Sequence, residues 1–355
     1  MLLDVQAKPS DGLELLRGSS VPGSIQQRPG GVARNIGECL ARLCRLDSLE
    51  RAGLLPLLIS AVGQDAAGDL LLSQWRQLGL DTQAIHSLPG LRTPSVSIIF
   101  DSGGEVAASV ADVGLLEAQL PKLLKLHKQD IQAAPLLLLD GNMPQQSITE
   151  AAGMAAAAGV PVWFEPVSVP KAARAAGTLH LLDYISPNAA ELIAISEALT
   201  SDKGSLPEHG SQQADAELGS ETAGKARVME LRHHIMRVLN AGARNIVLTL
   251  GAEGAALCTL GAHGSSVEVA YMPALPAQLV TTSGAGDCLV AGCCWGLLKG
   301  QDALTALSHG MAVAHAAVET HLNVPEGLTL QGLTEGASSV LTACQRWDIS
   351  FGGPS

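Results

Sequence analysis

The stretch Thr281-Thr282-Ser283-Gly284-Ala285-Gly286-Asp287, running straight into the apolar residues 288–298, decides how this chain is read. Three small residues in succession let the backbone turn its N–H groups inward where a helix begins. The partial positive charge of a helix N-terminus favours an anion, so the stretch predicts a phosphate-binding turn made by Gly284, Ala285 and Gly286. Asp287 stands beside that turn. A carboxylate there can take the proton of an attacking hydroxyl, the base that phosphoryl transfer needs beside positioning and charge neutralisation. Taken alone, the same residues also serve as a glycine-rich turn in which Asp287 caps the next helix.

A second glycine pair lies far upstream. Gly30-Gly31-Val32-Ala33-Arg34-Asn35 also opens a helical pattern, with Ile36, Leu40, Leu43 and Leu46 at helical spacing. Between the two lie Ser186-Pro187-Asn188-Ala189-Ala190-Glu191 and Thr249-Leu250-Gly251-Ala252-Glu253-Gly254. By itself, Asn188 with Glu191 three residues on is a helix start with a capping-box partner. The segment from Thr249 to Gly254 is a strand-to-turn passage that any α/β protein can carry. In this order and separation the four stretches resemble the ribokinase-like (PfkB) family of sugar and nucleoside kinases, from Asp4 to about Val324.

That resemblance implies an α/β fold: a doubly wound, mostly parallel sheet with helices on both faces and a small β lid over the sugar site. It implies one kinase domain over residues 1–340, lid segments at about 12–29 and 92–112, and a C-terminal tail at 341–355. It places Asp4, Gly30, Gly31 and Asn35 on the sugar hydroxyls, Thr93 and Asn142 on the substrate, and Asp287 as base. Thr249, Gly251 and Gly254 pass the nucleotide, together with Asn188, Gly284 and Gly286. Asn188 and Glu191 hold magnesium, largely through water, as suits an ion that keeps its hydration shell. The implied co-substrate is ATP. Thr281 occupies a position where many relatives carry Asp beside a monovalent-cation site, and its carbonyl and that of Ser283 are the oxygens left to offer potassium. Narrower marks are Gly30 to Ile36, Val110-Ala111-Asp112 and Phe164 to Lys171, which imply a nucleoside phosphorylated at its 5′-hydroxyl. Lid strands pair between subunits in this family, which implies a homodimer.

Read from the residues themselves, the rest of the chain agrees with an α/β enzyme. Leu54 to Val62, Leu136 to Leu139, Pro161 to Phe164, Tyr184 to Ile185 and Ile246 to Leu250 are apolar runs of the kind that make buried parallel strands. Asp65 to Leu78 and Arg227 to Ala241 read as helices between them. Gly18 to Gln27 and Thr93 to Ala111 break this rhythm and alternate as exposed strands do. Thr200 to Lys225 is polar, acidic and rich in Gly and Ser, and reads as a disordered insertion inside the fold. Since families of this type begin with a full apolar strand, Met1-Leu2-Leu3-Asp4 predicts a truncated first strand.

Composition narrows the partners. The chain of 355 residues is 47% hydrophobic, enough to bury a large core. With Lys+Arg 22 against Asp+Glu 34 the net charge is −12, which argues against nucleic acid or anionic membrane as partners and for a small polar substrate. Seven cysteines without CxxC spacing read as reduced core residues, and no apolar run is long enough to span a membrane, so a cytoplasmic protein is expected. His309, His315, Met143, Met154 and Met311 fall on apolar patterns and read as packing residues. Two other functions stand beside the nucleoside kinase: a kinase of another sugar or nucleoside, and a truncated, non-catalytic binding or regulatory form.

Overall fold

The computed structural model describes residues 1–350 apart from 11, 17, 48, 104–105, 201–220 and 263. The chain packs as two compact units, one formed by Met1–Gly37 and Pro56–His127, the other by Glu38–Leu55 and Lys128–Ser355.

In the first unit, β1 (Leu2–Pro9), β2 (Gly23–Gly30), β5 (Ser95–Phe100) and β6 (Val106–Asp112) form a sheet in the order β2-β1-β5-β6, while β3 (Ser60–Gly63) and β4 (Ile85–Leu88) pair in parallel. The start of the chain makes an eight-residue strand of the small sheet, antiparallel to β2 and parallel to β5, and among the described residues it adds no strand to the large sheet of the second unit, in keeping with the truncated central strand read from the sequence. The alternating stretches at 23–30 and 95–112 supply the other three strands. Asp65 caps the helix Ala66–Gln77 by accepting from the Gly68 N–H. The same carboxylate accepts from both the backbone N–H and the hydroxyl of Thr93, at 2.8 and 2.5 Å, and so ties the helix start to the strand that follows.

The second unit is built on a seven-stranded sheet. Strands β7 (Leu137–Asp140), β8 (Val162–Glu165), β9 (Tyr184–Ile185) and β10 (Asn245–Thr249) run parallel; β11 (Ala255–Leu260), β12 (Ser266–Met272) and β13 (Gln345–Ser350) continue it antiparallel. The parallel strands are the apolar runs read from sequence, shifted by one residue at their ends, because strands covered on both faces need no polar alternation. Leu54 to Val62 is shorter than expected, with only Ser60–Gly63 extended. Of residues 341–355, expected as a tail, 341–342 finish the helix Leu330–Thr342 and Gln345–Ser350 supply the edge strand β13, while 351–355 lie outside the described residues. The expected helix over 227–241 is two, Glu221–Glu230 and Arg232–Asn240. Of the expected disordered insertion, residues 201–220 lie outside the described residues, and residues 221–225 are helical. Lys225 stacks its ammonium over Trp347 of β13 at 4.9 Å.

The histidines behave as packing residues. His309 is 7% exposed and meets the Trp295 ring edge-on, while His315 contacts the Pro276 carbonyl at 2.8 Å. Met143 and Met311 are buried and Met154 is half-buried. Among the described residues, no helix is long and apolar enough to cross a membrane.

Because one carboxylate both caps a helix and anchors Thr93, Asp65→Ala is expected to lower unfolding free energy by about 1–3 kcal/mol in chemical denaturation.

Candidate active site

Ligands of open α/β sheets bind outside the carboxyl ends of the strands. Here β7 ends at Asp140, β8 at Glu165, β9 leads through Ser186 and Pro187 to Asn188, and β10 ends at Thr249. Thr249 donates its N–H to the Pro187 carbonyl, which holds the end of β10 against the start of the helix Ala189–Ala198. Gly251 and Gly254 follow in a short turn, both at positive φ.

Asn188 and Glu191 form a complete capping box. The Asn188 side chain accepts from the Glu191 N–H, and the Glu191 carboxylate accepts from the Asn188 N–H, each at 2.9 Å. Glu191 is 5% exposed, and burial raises its pKa against the opposing pull of that N–H. Beside it, Glu165 is pushed well above the usual carboxylate range by burial and by the negative charges of Glu191 and Asp287, although Ser186 donates to it at 2.5 Å. Ser186 in turn accepts from Trp163 at 2.8 Å, so the hydroxyl is held in place from below. The other Glu165 oxygen accepts from Val167, at φ +72. A β-branched residue there carries real strain, which the surrounding hydrogen bonds must sustain.

Next along β7, the loop Gly141-Asn142-Met143 is fixed from several sides. Asp140 accepts from the Asn142 N–H at 2.8 Å, and one Arg174 nitrogen reaches the carbonyls of Gly141, Asn142 and Met143 at 2.9, 3.3 and 3.1 Å. Lys171 donates to Asn142 Oδ1 at 2.6 Å.

The glycine turn expected from the sequence does open a helix. Gly284, at φ +79, is the N-cap of the helix Ala285–Leu298, and Asp287 lies in its first turn. A Cβ on Gly284 would lie 2.2 Å from the Asn323 carbonyl, so only glycine fits. Asn323 also takes the Ser283 hydroxyl on its side chain at 3.2 Å, and its carbonyl accepts from the Cys288 thiol at 3.5 Å. A Cβ built on Gly286 meets no atom within 4 Å, which leaves room beside the helix N-terminus for a bound anion. Thr281 is folded inward, its hydroxyl accepting from the Ser283 N–H at 3.2 Å.

In the first unit, β1 and β2 bring Leu2 opposite Gly30 and set the Asp4 carboxyl over that glycine, where a Cβ would lie 2.2 Å from Asp4 Oδ2. Burial pushes the Asp4 pKa up to about 6, partly offset by the charge of Arg34. Arg34 is 7% exposed and donates to Asn35 Oδ1 at 3.0 Å. Gly31 precedes the helix Val32–Leu46 at φ +104, and Asn35 bonds the Gly31 carbonyl from within the first turn, so Asn35 is not the helix cap. Thr93 departs from its expected contact with a substrate base. It is 5% exposed, its hydroxyl proton goes to Asp65, and its oxygen accepts from the Gly63 N–H, so it orders the turn after β3.

Sequence reading did not single out Arg34, Glu165, Lys171, Arg174 or Asn323. The signal for the first was its place inside Gly30 to Asn35; for Glu165 and Lys171 it was the end of an apolar run followed by Pro166 and Pro170. Nothing local marks Arg174 or Asn323.

The raised Asp4 pKa has a consequence for stability. The folded chain holds that proton more tightly than the unfolded one, so ionising Asp4 costs stability as pH rises from the ordinary aspartate value of 3.8 through about 6. Asp4→Asn is expected to flatten the loss of unfolding free energy across that window, and a carboxyl NMR titration of the wild type should show a midpoint of about 6.

The chain is 33% identical to a pseudouridine kinase of Arabidopsis thaliana, over 96% of this chain and 94% of that one. It is 28% identical to a pseudouridine kinase of Escherichia coli K12, over 78% and 76% of the two chains. A solved Arabidopsis thaliana ribokinase, complexed with ribose and ATP, superposes with a TM-score of 0.71 over 95% of this chain and 96% of that one at 19% identity, which shows the fold. Residues 8–324 match the description of the pfkB family carbohydrate kinases, and the chain belongs to that family of ATP-using phosphotransferases, whose acceptor is a hydroxyl group.

Proposed function

We propose that this chain transfers the terminal phosphoryl group of ATP to the 5′-hydroxyl of pseudouridine, giving pseudouridine 5′-phosphate and ADP. The observation that carries the reading is the likeness to a pseudouridine kinase over 96% of the chain, joined to an aspartate in the first turn of a helix that opens on a glycine turn.

In this reading Asp4, Gly30, Gly31 and Asn35 hold the ribose, with Asp4 and Asn35 offering the acceptor and donor that paired hydroxyls require. Asn142 contacts the nucleoside from the end of β7. Asp287 accepts the 5′-hydroxyl proton as that oxygen bonds to the γ-phosphorus, the bond to the bridging oxygen breaks, and ADP leaves. The N–H groups at the start of the helix Ala285–Leu298 face the developing charge. Thr249, Gly251 and Gly254 border the nucleotide.

Magnesium, bound with the nucleotide, neutralises phosphate charge. Its fit rests on the donor set: Glu191 and Asn188 have spent one contact each on the capping box, so they reach an ion through water. Among the described residues no cluster of three His, Cys, Asp or Glu makes a ready metal cage, which agrees with an ion brought in on phosphates. The carbonyl oxygens of Thr281 and Ser283 are those we assign to potassium.

Exposed apolar side chains on the small sheet favour a homodimer. Ile25, Ala7, Ile99 and Ala108 stand in one row across β2, β1, β5 and β6, and Val110 is two residues further along β6 on the same face. Ile25 and Val110 are 74% and 72% exposed.

Purified protein with ATP and magnesium is expected to phosphorylate pseudouridine in preference to uridine, adenosine and ribose. Asp287→Asn should lower kcat by a factor on the order of 10²–10⁴ and leave ATP affinity within about two-fold. Turnover confined to another acceptor would keep the kinase and discard the substrate. Sedimentation should give a dimer for the wild type and a monomer for Ile25→Glu/Val110→Glu; a wild-type monomer would remove the dimer.

A further inference from the structure

The contact between Lys171 and Asn142 decides something that Asn142 alone leaves open. A carboxamide can present either its oxygen or its NH2, and the two differ only by a half-turn about the last bond. Here the partner is an ammonium, which has protons to give and no lone pair to receive them. A 2.6 Å contact between Lys171 Nζ and Asn142 can therefore only be made to the oxygen. Backbone freedom has already been removed, since Asp140 accepts from the Asn142 N–H and Arg174 grips the carbonyls on both sides of and at Asn142. What the backbone bonds leave open is the placing and the half-turn of the carboxamide, and Lys171 sets both by holding its oxygen.

We propose that Lys171 is a positioning residue that turns the Asn142 carboxamide so that its NH2 faces the substrate, where it donates to an acceptor oxygen of the nucleoside. The proposal rests on the reading of Asn142 as a nucleoside contact. It makes Asn142 a donor to the nucleoside, and it gives the lysine of Val169-Pro170-Lys171 a task separate from phosphate binding. The neighbouring geometry supports it: Val167 is held at φ +72 by its bond to Glu165, which fixes the course of the segment that leads into the short helix Val169–Ala172 and its lysine.

Steady-state kinetics of the full chain separates the two tasks. Lys171→Met is expected to raise KM for pseudouridine about ten-fold, with kcat and KM for ATP within about two-fold, because a donor aimed at the nucleoside is lost and no phosphate contact is. Lys171→Arg keeps a donor-only cation and should recover most of the loss. In an Asn142→Ala background, Lys171→Met should add less than about two-fold, since the residue it orients is gone. A raised KM for ATP, or a full second loss in the double variant, would overturn the proposal and put Lys171 on the phosphates. One readout does not depend on turnover. In substrate-free protein labelled with ¹⁵N-asparagine, the Asn142 side-chain amide resonance, assigned by its loss in Asn142→Ala, should move in Lys171→Met and stay in Lys171→Arg. A resonance unmoved in Lys171→Met would sink the orientation even if pseudouridine kinase activity is found, whereas a moved resonance with no turnover on any acceptor would remove the kinase reading and leave the orientation standing.

Discussion

The approach of the Asn323 carbonyl to Gly284 constrains the start of the helix that carries Asp287. The helix Ala285–Leu298 can begin where it does only because the residue before it takes a left-handed conformation and has no side chain. Asn323 then holds the turn at three points, through its carbonyl against Gly284, the same carbonyl on the Cys288 thiol, and its side chain on Ser283. The anion hole proposed there would have to be in place before charge arrives, and the turn is pinned from 35–40 residues downstream. Other features of the site follow from a fixed helix start, including the direction in which Asp287 leaves the first turn.

Around that turn the polar groups are satisfied by one another. Glu191 and Asn188 close a capping box, Ser186 links Trp163 to Glu165, and Arg174 takes up three successive carbonyls. Burial raises the pKa of both Glu165 and Glu191, and the charges of Glu191 and Asp287 raise that of Glu165 further. The net effect is to hold the Glu165 carboxyl well above the usual carboxylate range, against the pull of the Ser186 hydroxyl and the Val167 N–H. In the first unit Asp4 is treated the same way, with Arg34 as a partial counterweight.

How much of this was legible in the sequence depends on distance along the chain. The turn Gly284 to Asp287, the pair Asn188 and Glu191, and the apolar strands β7 to β10 are each set within a few residues, and they stand where the residues said. Lys171 and Asn142 are 29 residues apart and meet only because β7 and β8 are neighbours. The role of Thr93 could not be read either, since Asp65, 28 residues before it, takes its hydroxyl. The strand β13 was missed because Gln345 to Ser350 is polar at every second position, as an edge strand can be, and resembles a tail until β12 pairs with it. Leu2 and Leu3 look like the end of a buried run, but the alternation that continues to Pro9 belongs to the small sheet.

The cysteines give the fold a built-in clock. Six of the seven are buried, and burial pushes Cys44, Cys258 and Cys294 up to about 12, so their thiolates are vanishingly scarce in the closed protein. A thiol reagent in solution can modify them only when the chain opens. Because Cys258 lies in β11, and Cys293 and Cys294 on the helix that carries Asp287, their labelling times separate the loosening of the sheet from the loosening of the catalytic helix.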